Sequence, residues 1–178
     1  MKTKLITLGI VITLAFAIYA NAEDAKSTQP APKPGSAEFE RMKSLVGTWT
    51  AKVDMGQGPV DMTAHYRLLA AGSVLEERVF EGTPNEMITM FYDKGGKLAA
   101  THYCVFGNRP QMLLKSSDAK SIEFSFDKIC GINVKKESHM HAMKFTFEDS
   151  DNVTTTCQAL VDGKEMPACP AKLKRVKE

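Results

Sequence analysis

From Gly47 to the C-terminus apolar side chains recur at every second position, and turn-forming residues interrupt the pattern roughly every eight to twelve positions. A period of two places alternate residues on opposite faces of an extended strand, and turns this frequent leave no room for crossover helices. The pattern predicts strands near 48–55, 59–69, 73–81, 86–93, 97–105, 110–115, 120–127, 139–148, 152–161 and 165–176. Turn signals separate them at Gly56-Gln57-Gly58, Ala71-Gly72, Thr83-Pro84-Asn85, Lys94-Gly95-Gly96, Asn108-Arg109-Pro110, Ser116-Ser117-Asp118, Asp149-Ser150-Asp151 and Asp162-Gly163-Lys164. Successive short hairpins imply an up-and-down order. A meander of about ten strands most simply loses its edges by closing on itself. The expected fold is therefore all-β, an antiparallel up-and-down barrel of about ten strands.

One helix precedes it. Ser36 is a natural N-cap, Phe39, Met42, Leu45 and Val46 recur at helical spacing, and Gly47 supplies a stop. Upstream, residues 1–22 have the parts of a secretory signal: basic Lys2 and Lys4, an apolar run from Leu5 to about Ala20, and the small-residue sequence Ala20-Asn21-Ala22. The first cysteine is Cys104, so no lipid-anchoring cysteine stands at the cleavage point. The segment from Glu23 to Gly35 has three prolines and no apolar period, as expected of a flexible tether. The expected organisation is a signal peptide at 1–22, a Pro-rich linker at 23–36 and one barrel domain at 37–178, periplasmic or secreted, with no stable membrane insertion after cleavage.

Of the 23 basic and 21 acidic residues, the signal holds two lysines and no acid, so the remaining chain is formally neutral. Nucleic-acid binding draws on a basic excess, and none is present. The cluster Lys172, Lys174, Arg175 and Lys177 alternates as the solvated face of a last strand does.

Strand parity assigns an interior. Leu98, Ala100, His102 and Cys104 share one face, and Phe147, Phe145, Met143, His141 and His139 another. Two histidines one residue apart on a strand lie ~6.6 Å apart, within reach of one metal ion or one ligand. His102, His139 and His141, with Cys104 and with Met90, Met112 and Met143 nearby, form a candidate soft-metal set; the same groups equally suit a polar patch lining a ligand cavity. His65 alternates with Asp61, Thr63 and Arg67 onto the outer face. Parity turns one of Glu76 and Glu77 inward, where a carboxylate and a histidine can act as an acid–base pair. No nucleophile elbow, phosphate-binding glycine loop or His-Glu-x-x-His helix occurs, so the sequence displays no enzymatic motif.

In an oxidising compartment four cysteines point to two disulfides. Cys157 and Cys169 are each six residues from Gly163 and are expected to face one another across the last hairpin. By elimination Cys104 pairs with Cys130, or else Cys104 is free and reactive.

The entry Leu45-Val46-Gly47-Thr48-Trp49, the closing Leu173-Lys174-Arg175-Val176, and the intervening His102-Tyr103-Cys104, Asn108-Arg109-Pro110, Gly131-Ile132-Asn133 and His139-Met140-His141 resemble bacterial lipocalin-like (calycin-type) barrel proteins whose function is not established. The resemblance covers nearly all of the chain after the signal. It implies a barrel holding a small, mainly apolar molecule, with His102, Asn108, Asn133, His139 and His141 as candidate polar contacts. Haem-binding relatives of this fold open with Gly-x-Trp-x-Gly-x-Gly, and here Ala51 and Val53 occupy the later glycine positions. A metal- or haem-binding protein using His102, His139 and His141, and a hydrolase or isomerase working in the cavity, stand as alternatives. Neither cofactor nor oligomeric state is legible.

Overall fold

The computed structural model describes residues 34–177, so the predicted signal segment 1–22 and most of the linker 23–36 lie outside the described residues. Helix α1 (Ala37–Met42) begins as its cap predicts: the Ser36 hydroxyl accepts from Phe39 N at 3.2 Å. Ser36 is itself held, its backbone N–H and hydroxyl donating to the Asp93 carboxylate at 2.5 and 2.7 Å. A 3-10 turn, Lys43–Leu45, follows. Phe39, Met42 and Leu45 are buried, but the tighter winding takes Val46 off the apolar stripe, and it is 41% exposed.

The strands are β1 (Gly47–Asp54), β2 (Pro59–Leu69), β3 (Val74–Val79), β4 (Met87–Lys94), β5 (Lys97–Tyr103), β6 (Gln111–Ser117), β7 (Ser121–Phe126), β8 (His139–Phe147), β9 (Asn152–Val161), β10 (Lys164–Glu165) and β11 (Cys169–Arg175). Each pairs antiparallel with the next from β1 to β9; β9 then pairs with β11, and β11 with β1. The result is a closed ring of ten strands, with β10 a two-residue extension of β9.

Two irregularities decide where the expected cysteine and histidine site residues lie. Asp162 and Gly163, with φ of 49° and 75°, make a two-residue turn that sets Val161 opposite Lys164. That register alone would place Cys157 opposite Ala168. Pro167, which has no N–H for the ladder, falls in the break between β10 and β11, and the register there slips by one so that Cys157 faces Cys169. The expected opposition thus holds, but through a break that the last predicted strand, 165–176, did not include. The second irregularity is a bulge between Met140 and Ala142 in β8.

The α1 end of the barrel is closed by polar clasps over an apolar core. Arg41 donates to Asp118 O, Ser117 Oγ and Ser121 O at 2.5, 3.0 and 3.2 Å. Trp49, fully buried, donates Nε1–H to Leu45 O at 2.7 Å, and the Arg175 guanidinium lies 4.2 Å from its ring centroid. Arg175 in turn donates to Ser44 O, Val46 O and Ser150 O at 2.7, 2.8 and 2.9 Å. Below, Phe91, Phe124 and Phe145 pack with centroid separations of 5.6 to 6.3 Å. Among the described residues no helix is long and apolar enough to cross a membrane.

Candidate ligand-binding site

At the opposite end, where the loops 80–86, 104–110 and 127–138 join the strands, the inward row turns polar. Tyr66 is the register partner of Glu77, Glu77 of Thr89, and Thr89 of His102, so four neighbouring strands contribute one level of a belt around the inside. All four are buried, from 1% to 9% exposed. The Tyr66 hydroxyl donates to Glu77 Oε1 at 2.5 Å, and His102 Nδ1 lies 2.9 Å from Thr89 Oγ1. In the Nδ1–H tautomer, with Thr89 Oγ1 as acceptor, His102 Nε2 carries a bare lone pair.

That lone pair has no partner. His102 Nε2 and Asn108 Oδ1 are the two buried side-chain polar atoms without a hydrogen bond among the described residues. Asn108 is oriented by its own amide, which donates to Ser138 O at 2.8 Å. It lines a cleft of about 360 Å³ at the same end with Glu86, Ile88, Tyr103, Cys104, Gly107 and Arg109. An unmet buried polar atom costs ~1–3 kcal/mol, so two at one end of one hairpin require an explanation.

Electrostatics fix the protonation states. Burial holds His102 neutral, lowering its pKa to about 4. Burial raises the Glu77 carboxyl above its ordinary value, opposed by the hydrogen bonds from Tyr66 and Thr89, and burial followed by the adjoining Glu77 raises the Tyr66 phenol well above its own. Burial, then Glu77, pushes the Cys157 thiol up to about 12, and burial raises Cys104. At neutral pH His102 is uncharged and a poor proton acceptor, and neither cysteine is a thiolate.

Several expected site residues lie elsewhere. Met143 and Phe145 face inward, with Cys157 and Thr155 as their register partners. Beyond the bulge, Met140 pairs with Ala159 and continues that inward row, so the extra residue takes His139 and His141 off it. His139, fully buried, packs against Phe126 with ring centroids 4.3 Å apart and planes tilted by 42°, and donates Nδ1–H to Glu137 O at 2.8 Å. His141 Nδ1 lies 3.5 Å from His139 Nε2. No hydrogen bond joins this pair to His102, and among the described residues no three His, Cys, Asp or Glu side chains are disposed to hold one metal ion. The expected His102/His139/His141 metal set is not assembled. Asn133 is exposed and builds its own loop, its Oδ1 accepting from Lys135 N and its N–H donating to Glu137 Oε1.

The expected disulfides are also absent: Cys104, Cys130, Cys157 and Cys169 are free thiols. Cys157 and Cys169 are backbone partners, but the Cys169 thiol is turned to donate to Asp54 O at 3.3 Å. Cys104 and Cys130 follow β5 and β7, which β6 separates. Of the two glutamates, Glu77 faces inward. Glu76 lies under an outer clasp of Arg67 and Arg78, at 2.9 and 3.5 Å. His65 is on the outer face beside Thr48 Oγ1 at 3.2 Å, as parity predicts. Tyr66 and Thr89 are site residues that sequence reading missed.

No protein-family model and no curated protein matches the chain. Among solved structures it is similar to a protein of unknown function from the DUF3598 family of Nostoc punctiforme, with a TM-score of 0.53 and 15% sequence identity over 84% of this chain. The chain spans about half of that protein, 53% of its length. At such identity the likeness is one of fold, a closed antiparallel barrel.

Proposed function

We propose that this protein is an exported lipocalin-like barrel that binds a small, mainly apolar molecule through the end opposite α1. The observation that carries the reading is the pair of unpartnered buried acceptors, His102 Nε2 and Asn108 Oδ1. Asn108 lines the cleft at this end and His102 lies on the neighbouring inward row; a hydrogen-bond donor on an apolar body satisfies Asn108 Oδ1, and it satisfies His102 Nε2 in the Nδ1–H tautomer. Export, to the periplasm or the medium, rests on the 1–22 signal pattern.

N-phenyl-1-naphthylamine, an apolar fluorophore with one N–H donor, is expected to bind saturably with enhanced emission. His102→Leu is expected to weaken binding about tenfold, the equivalent of ~1.4 kcal/mol for a donor left unmet. Emission that does not saturate, or that is unchanged in the variant, contradicts the reading. For export, cell fractionation should recover the protein outside the cytoplasm and starting near Glu23.

A further inference from the structure

A second concavity lies at this same end, lined by residues of the 127–138 loop and the β9–β10 hairpin together with Phe126 at the end of the inward row of β7. Its volume is about 450 Å³, within the ~300–1,000 Å³ usual for small-molecule sites. Phe126, Ile132, Val134 and Leu160 supply apolar surface, and His141 stacks near Phe126 at a centroid distance of 6.0 Å with planes 28° apart. Lys128 and Lys135 complete the lining together with Glu165. Among the described residues neither lysine forms an ion pair, and the one carboxylate, Glu165, accepts from the Gln158 side chain at 3.4 Å. The groove therefore joins an apolar floor to a net positive rim.

We propose that this groove is a binding site for a small amphipathic carboxylate, its apolar chain or ring against Phe126, Ile132, Val134 and Leu160 and its anionic head between Lys128 and Lys135. The site is separate from the interior belt, shares no residue with His102 or Asn108, and does not depend on the interior reading.

Decanoate and 1-decanol separate charge from apolar burial, and isothermal titration with each probe reads both. Decanoate is expected to bind at least tenfold more tightly than decanol, with a preference that shrinks as salt is raised. The double variant Lys128→Ala/Lys135→Ala, altering two exposed side chains, is expected to reduce decanoate to the decanol level, while His102→Leu leaves it unchanged. The inference is overturned if decanoate does not bind, if the two probes bind alike, if the lysine variant retains the preference, or if His102→Leu abolishes decanoate binding, which would move the carboxylate into the barrel.

Discussion

Between pH 6.5 and pH 4 the folded protein is expected to lose about 3 kcal/mol of stability through His102 alone. The unfolded chain takes up a proton at this side chain near pH 6.5, whereas the folded protein, with the imidazole buried and its pKa at about 4, does not. The unfolded state binds more protons throughout that window, so stability falls as pH falls, and the shift sets the size of the loss at ~1.4 kcal/mol per pKa unit. Glu77 acts with the opposite sign. Its carboxyl is raised in the fold, so the stability it contributes is present below its unfolded pKa of 4.5 and is lost as pH rises through its folded value. Urea unfolding across pH 4–8 separates the two: His102→Gln should flatten the acid limb relative to wild type, and Glu77→Gln should remove the loss on the rising side. Parallel wild-type and His102→Gln curves below pH 6.5 would show that the belt is not closed as described.

The largest loss from a single substitution is expected at Trp49. The side chain is fully buried, bonded to Leu45 O, and covered by a guanidinium that ties the start of β1 to the turn between β8 and β9. Trp49→Ala removes the packed ring and leaves Leu45 O without its donor, which together should cost about 3–5 kcal/mol. Trp49→Phe keeps most of the packing and loses the hydrogen bond, for about 1 kcal/mol. Chemical unfolding midpoints at unchanged slope measure both, and Trp49→Ala within 1 kcal/mol of wild type would remove Trp49 from the account of how this end is sealed.

The barrel was legible because period-two alternation and turn residues act locally, and each predicted strand has its counterpart. The last, 165–176, is broken because Pro167 cannot donate to the ladder. The interior belt was legible in principle. The turns centred between β2 and β3, β3 and β4, and β4 and β5 fix Tyr66, Glu77, Thr89 and His102 as successive partners. Only His102 and the Glu76/Glu77 choice were read from parity, since a tyrosine and a threonine on a strand give no sign of being linked. The placement of His139 and His141 was not legible. A bulge leaves no mark in Met140-His141-Ala142, yet one extra residue reverses every side chain beyond it. The cysteines show a similar limit: backbone opposition of Cys157 and Cys169 arises only through the one-residue slip at the Pro167 break, and the direction of a thiol depends on the acceptor it finds, here Asp54 O.

The central claim is that the barrel carries a molecule held at His102. Native mass spectrometry of the protein recovered from its own cell tests this directly. The account predicts a complex heavier than the polypeptide by one small molecule, released on unfolding and absent from His102→Leu prepared in the same way. A wild-type mass equal to the polypeptide alone, or an adduct retained unchanged by His102→Leu, would contradict it.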